Sequence, residues 1–510
     1  MRSSRGALVV AVLGSSMAFL DSTVVNVALP VMQRELGASV TVVQWIVEAY
    51  ALFLAALVLV GGALGDRLGR RRVFLAGVAL FALASIGCGA SPTGEVLIVM
   101  RGVQGVGAAL LVPGSLALIS AAYDNKEERG AAIGTWSAFS AITAAIGPVA
   151  GGWVVAHGSW RWLFFFNVPI AAIVVVLALS RVGETRDETA PKAIDWLGAA
   201  LAAAGLGLVV YALIESERAG WTAREIVLGV LGTVTLVAFV LAEARQKSPM
   251  VPLSLFRSRT FAGTNLLTLL LYAALGGGLF FVPFDLIQVQ HYSPTAAGAS
   301  LLPFILIISA MSRWMGKLSE RIGPRRLLFV GPVIAGAGFA LLAMPSVGGP
   351  YVRTFFPGIV VLGIGMGITV APLTSAVMGA VDSHHAGVAS GINNAVSRTA
   401  GLLAVAALGA LLLSRFNRAL DAELAALPAA LVRVADEQRP KLAGADFSML
   451  DPDSRGALEH AFEAAYVSAF RFVMLTCAAM SALGGFCALS LVEKRDGQPP
   501  SPRTQRILGE

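Results

Sequence analysis

Between residues 7 and 491 the chain repeatedly runs for about twenty residues with almost no charge, and a stretch of that length crosses a bilayer as a helix. Fourteen such spans are readable, at 7–29, 43–63, 73–91, 95–121, 132–156, 160–181, 195–214, 224–243, 261–284, 294–315, 327–346, 351–377, 387–413 and 464–491. In hydrocarbon every backbone polar group must be satisfied within the segment, so the expected fold class is an all-α polytopic membrane protein. A soluble chain of this length would form two or three domains, each needing a polar coat. With 14% charged and 56% hydrophobic residues that coat is missing. Soluble enzyme, nucleic-acid binder and disordered scaffold are thereby disfavoured.

The net charge of +7 is a matter of topology. If both termini lie in the cytoplasm, the inside segments hold 24 Lys and Arg and the short outside loops 5, the bias expected of cytoplasmic loops. Arg2 and Arg5 before the first span imitate a signal peptide, but no clean cleavage site follows, so span 1 is expected to be retained. Cys88, Cys477 and Cys487 all fall in apolar runs and suggest no disulfide framework. His384-His385 beside Asp382 reads as a solvated turn, and no metal site is expected. No phosphate-binding loop occurs, so the energy source is expected to be an ion gradient, with no cofactor.

The chain repeats itself. Gly62-Ala63-Leu64-Gly65-Asp66-Arg67-Leu68-Gly69-Arg70-Arg71-Arg72 returns 254 residues later as Gly316-Lys317-Leu318-Ser319-Glu320-Arg321-Ile322-Gly323-Pro324-Arg325-Arg326. Arg129–Gly134 has a fainter echo in Ala386–Gly391. Two homologous six-helix halves separated by two extra helices give this spacing. The expected domains are therefore a bundle at 1–181, two inserted peripheral helices with linkers at 182–258, a second bundle at 259–491 that includes an extracellular loop at 414–463, and a cytoplasmic tail at 492–510. Parallel repeats with a site between them describe a rocking transporter.

Four motifs carry a resemblance. Gly62–Arg72 resembles the signature loop of the major facilitator superfamily. Leu20-Asp21-Ser22-Thr23-Val24-Val25-Asn26-Val27-Ala28-Leu29-Pro30 resembles the span-1 signature of its fourteen-helix drug:proton antiporters, the EmrB/QacA type. Arg101-Gly102-Val103-Gln104-Gly105 is similar to that family's span-4 motif, and Gly147-Pro148-Val149-Ala150-Gly151-Gly152 to its span-5 antiporter motif, with Thr143 where a leading Gly is usual. The resemblance implies a cytoplasmic latch at Gly62, Asp66, Arg67, Gly69 and Arg70. It also implies proton translocation involving Arg101, and export across a bacterial cytoplasmic membrane. Independently of the family, Asp66 suits a helix N-terminus, where the dipole favours an anion. Pro148 permits a kink, and Gly147, Gly151 and Gly152 strip one helix face for close packing.

Charges inside the spans are the best chemical signal, because each costs a few kcal/mol at the bilayer centre unless partnered. Asp21, Glu48 and Arg101 lie roughly 12, 7–8 and 9 Å from the outer ends of their spans at 1.5 Å per residue. Three helices of one half are thus expected to place these charges in one layer. Glu48 is the leading proton site, Asp21 the second, and Arg101 their partner. In the second half Asn394, Ser397 and Arg398 recur on one helix face. Substrate contacts are expected at Asp21, Asn26, Glu48, Gln104, Asn265, Tyr272, Asn394 and Arg398. Asp285 is expected near the outer surface, either as a substrate-attracting acid or, the favoured reading, as an ordinary interfacial charge.

Spans 7 and 8 carry no interior charge and are expected to pack at the periphery without a proton or substrate residue, anchored by Asp195, Trp196 and Trp221. Loop 414–463 has helical spacing and is expected to form short surface helices. The expected function is a monomeric, proton-coupled exporter of small amphipathic organic compounds, cationic or neutral. Its partners are the substrate, protons and the lipid bilayer, with no nucleic acid. An exporter of a lipid or dedicated metabolite would read the same way. A membrane enzyme would need a convergent catalytic constellation, and none is visible.

Overall fold

A computed structural model of the chain describes residues 4–123, 125–186, 195–219, 222–246, 249–382 and 386–493. Trp221, His384 and His385, part of the 182–258 linkers and most of the 492–510 tail lie outside the described residues. Among the described residues thirteen helices are long and apolar enough to cross a bilayer. A further helix, Lys126–His157, has 32 residues and stands where the fifth span is expected.

The first half contains α1 (Ser4–Glu35), α2 (Val40–Leu68), α3 (Arg70–Gly89), α4 (Gly94–Ala122), α5 (Lys126–His157), α6 (Trp162–Phe165) and α7 (Asn167–Arg181). A hairpin of α8 (Trp196–Ala219) and α9 (Ala223–Arg245) follows. The second half contains α10 (Arg259–Phe284), prolonged by a π-turn at Asp285–Val289, then α11 (Pro294–Ser300), α12 (Leu302–Ile322), α13 (Pro324–Leu342), α14 (Phe355–Gly379), α15 (Ala386–Leu424), α16 (Ala429–Gln438) and α17 (Pro452–Leu491). Short polar side chains start several of them. Thr93, Ser258, Ser293 and Asp451 each accept a hydrogen bond from an otherwise orphaned N–H in the first turn.

The repeat is visible in backbone and packing. Gly69 (φ 115°) and Gly323 (φ 80°), 254 residues apart, each end one helix and begin the next, in a conformation that a Cβ would strain. α4 packs on α2 and α3 as α14 packs on α12 and α13. α1 packs on α5 and α7 as α10 packs on α15 and α17. The connections from α2 to α3 and from α12 to α13, with both described termini, define a basic end. The opposite end carries residues 425–451 and is the cap end.

The inserted hairpin does not sit as a detached pair. α9 turns Ile226, Val230, Val234 and Val237 outward, while α8, expected at the periphery, lies against both α2 and α15. Leu206 and Val210 of α8 join Leu52 of α2 and Leu402 and Ala406 of α15 in one apolar cluster. The cap is likewise integral. α15 and α17 extend well past their expected ends at 413 and 464, because Leu420, Leu424, Leu458 and Phe462 prolong their apolar faces. Ala435, Leu442 and Phe447 of the connection are buried in the same core. Arg439 pins it by ion pairs to Asp421 and Asp436, each at 2.8 Å.

Candidate transport site

Asp21 and Arg101 form a buried ion pair between α1 and α4. Gln104, one turn beyond Arg101, completes it. Its Oε1 accepts from Arg101 Nη1 at 2.6 Å, and its Nε2 donates to Asp21 Oδ1 at 2.9 Å and to Ser85 Oγ at 2.8 Å. Asn167 Nδ2, at the start of α7, reaches Ser85 Oγ at 3.3 Å and Asp21 Oδ1 at 3.4 Å. Arg101 Nε donates to the Ile46 carbonyl of α2 at 3.0 Å, and its guanidinium lies 4.3 Å from the Tyr50 ring centroid. Five helices thus converge on one carboxylate–guanidinium pair whose donors and acceptors are nearly all used. A pair this well satisfied is rigid, and losing one member leaves an uncompensated buried charge.

Ser85 and Asn167 were not among the expected residues. Their signal was present, since each is a polar side chain inside an apolar run. A search for charges alone passes over hydroxyls and amides, which also need partners in hydrocarbon.

Glu48 stands apart from this network, contrary to the expected three-charge layer. It shares an α2 face with Trp45 and Leu52, three residues before and four after. That face meets α8, where Trp45 lies 6.0 Å from Tyr211, and α15 at Leu402. Glu48 is 1% exposed, its Oε2 has no hydrogen-bond partner, and no ion pair to it occurs among the described residues. Depth alone does not fix a face: each helical step turns 100°, and two residues separate Glu48 from the face carrying Tyr50.

In the second half the paired asparagine is Asn393. Its Nδ2 donates to Asn265 Oδ1 at 3.1 Å and to Thr268 Oγ1 at 2.7 Å, joining α15 to α10. Asn394 is exposed, and among the described residues it bonds to the Ser390 carbonyl of its own helix. Arg398 is half-buried within electrostatic reach of Tyr50, and no acidic partner for it occurs among the described residues. Asn26 and Tyr272 are half-buried. Asp285, expected near the surface, is 2% exposed inside the π-turn, with Gln290 Nε2 at 3.4 Å. The turn draws its carboxylate into the core.

The glycine motif of α5 makes two contacts. Gly147 and Gly151 lie against Thr23 and Val24 of α1, and Gly152 against Pro294 of α11, in the other half. A Cβ on Gly152 would stand 2.3 Å from the Pro294 carbonyl oxygen. Close to it, Gln288 Nε2 donates to Gln33 Oε1 at 2.9 Å, and Gln33 Nε2 to the Lys441 carbonyl at 3.2 Å, linking α1, the π-turn and the cap.

At the basic end the Gly62–Arg72 loop is held within its own half. Asp66 sits in the last turn of α2, not at a helix N-terminus, and pairs with Arg70 at 2.8 Å. The anion at the N-terminus of α3 is Glu184, which accepts from the backbone N–H of Arg71 at 3.1 Å and Arg72 at 3.2 Å. Gly62 faces Pro113 of α4, and Arg67 is exposed.

Residues 11–405 match the family model described as Major Facilitator Superfamily. The chain belongs to this superfamily. Relatives include the multidrug resistance protein Stp of Mycobacterium tuberculosis, 36% identical over 81% of this chain and 76% of that protein. The puromycin resistance protein pur8 of Streptomyces alboniger is also 36% identical, over 79% of this chain and 80% of its own. The tetracenomycin C resistance and export protein of Streptomyces glaucescens is 34% identical over 80% and 76%. In fold the chain resembles a bacterial homologue of the human lysosomal transporter Spinster, with a TM-score of 0.68, 17% identity, and coverage of 97% of this chain and 99% of that one. This superfamily member is a multi-span membrane transporter whose relatives are named for drug resistance.

Proposed function

We propose that the chain is a proton-coupled exporter of amphipathic organic compounds, of the fourteen-span antiporter type. It works by alternating access, as a monomer in a bacterial cytoplasmic membrane, with the basic end and both termini in the cytoplasm. The observation that carries this reading is the contrast between the two buried acids. Asp21 is fully engaged with Arg101 and serves as a fixed joint. Glu48 is buried with no ion-pair partner among the described residues, a cost of several kcal/mol that a bound proton removes. An acid in that position alternates between proton-bound and proton-free forms as the surrounding helices separate and close.

Substrate sits between the halves, with Asn26, Tyr272 and Arg398 as polar anchors in an otherwise apolar space. The Gly147–Gly152 contacts and the Gln33–Gln288 bridge seal the cap end. The Gly62–Arg72 loop steadies the basic end. The names of the relatives favour drug-like substrates over a lipid. The test is a panel of such compounds, puromycin and tetracenomycin C among them, added to everted vesicles loaded with a proton-gradient dye. Dequenching by one compound class supports coupled export and names the substrate. No proton movement alongside measured drug uptake would remove proton coupling from the reading.

A further inference from the structure

A cavity of about 440 Å³ shares none of its lining with the Asp21–Arg101 network or with Glu48. Its walls are Ala55 and Leu59 of α2, Leu206 of α8, Phe239 of α9, Leu266 of α10 and Val396 of α15. All of these come from the halves of their helices nearer the basic end. The lining is almost wholly apolar, and of its two polar side chains, Asn265 and Thr399, the first bonds to Asn393 and to the Phe261 carbonyl. The inserted hairpin closes one side, and the outward face of α9 is apolar along its length, so the space lies one helix away from hydrocarbon. Met250 and Phe256 form its rim at the basic end. That rim is fixed, because Val251 N donates to Glu243 Oε2 at 2.9 Å.

The rim is also charged. Arg259, Ala262, Leu266 and Leu269 follow at intervals of three and four on one face of α10, so the apolar wall runs directly into a guanidinium. Arg257 beside Phe256 and Arg245 at the end of α9 add two more, and all three arginines are exposed. An apolar slot that ends beside exposed guanidiniums matches a molecule with a long alkyl chain and an anionic head. We infer that this cavity is a binding site for an anionic phospholipid of the leaflet at the basic end, with one acyl chain between α2, α8, α10 and α15 and its phosphate among Arg245, Arg257 and Arg259. The lipid would fill the seam between the two bundles and make the inserted hairpin the site's outer wall. This requires neither proton coupling nor export, and it is tested by binding alone.

The full-length protein, purified in a neutral detergent, is titrated with fluorescent phosphatidylglycerol and with phosphatidylcholine of the same chain length. Saturable binding is expected, at least five-fold tighter for phosphatidylglycerol. Ala395 of α15 also lines the cavity, and Ala395→Trp, which fills it, should weaken both lipids ten-fold or more. R257Q combined with R259Q should bring phosphatidylglycerol to the phosphatidylcholine level. Leu266→Ala, which enlarges the cavity, should retain binding, and Leu206→Phe replaces Ala395→Trp if that variant does not purify as a single species. Unchanged binding in the filled variants, or equal affinity for the two lipids, overturns the inference. So does displacement of the lipid by an exported drug at that drug's own transport affinity, which would place the cavity on the transport path.

Discussion

Gly298 of α11 lies against the carbonyl of Pro148 in α5, so near that a Cβ built on it would stand 2.0 Å from that oxygen. The two residues belong to different halves of the repeat, and Gly152 and Pro294 make the reciprocal contact beside them. Bare backbone on both sides lets the halves meet this closely, and in the proposed cycle the same surfaces would part when the cap end opens.

A side chain at that crossing should therefore bias the cycle. Gly298→Val adds volume against backbone, which cannot give way as a flexible side chain can, and overpacking of this kind costs about 1–3 kcal/mol. We expect normal membrane insertion, drug export reduced at least ten-fold, and greater reactivity of a cysteine placed at Thr295 towards a water-soluble thiol reagent. Unaltered export with unaltered labelling would show that the crossing does not gate.

Glu48→Gln keeps the volume and removes the exchangeable proton. Drug binding should persist while uphill export in everted vesicles falls to background. Export by this variant driven normally by a proton gradient would remove Glu48 from the mechanism. Asp21→Asn should differ in kind, lowering thermal stability as well as transport, because Asp21 is held by three side chains.

Arg101→Met leaves Asp21 buried without its cation, and breaking a buried pair in this way costs roughly 3–5 kcal/mol. The double variant Arg101→Met with Asp21→Leu removes both charges and should recover much of that loss in a thermal unfolding assay in detergent. If the double variant is as unstable as the single one, the pair does more than satisfy itself.

The cap separates two forces cleanly. Phe447 is 3% exposed, and truncation of a buried Phe costs about 3–5 kcal/mol. Arg439 holds two aspartates that are more than half exposed, so Arg439→Ala should cost no more than about 1 kcal/mol. Limited proteolysis between residues 425 and 451 should accelerate strongly in Phe447→Ala and little in Arg439→Ala. The reverse order would make the ion pairs the main restraint.

The spans and the repeat were legible because hydrocarbon imposes length and composition, and because a duplicated sequence keeps its turns, Gly69 and Gly323 among them. The Asp21–Arg101 pair was legible as two costly charges at similar depth. What escaped was angular or distant in sequence. Glu48 shares that depth but faces α8 and α15, and Asn393 rather than its neighbour faces α10. Glu184, more than a hundred residues from the α3 N-terminus that it caps, gave no local signal, and the Asp66 expected there lies one helix earlier. The cap looked like a polar insertion because its buried residues, Leu442 and Phe447, are few and widely spaced.

α15 and α17, with 39 and 40 residues, each run without a break from the basic end into the cap. At 1.5 Å per residue each is roughly 60 Å long. Such rods do not bend easily, so in the proposed cycle the cap would travel with the second bundle as one body and lever against Gln33 as the halves tilt. A reagent that grips the cap and the tip of α1 together would then arrest the pump from the cap side, without entering the membrane or competing with any cargo.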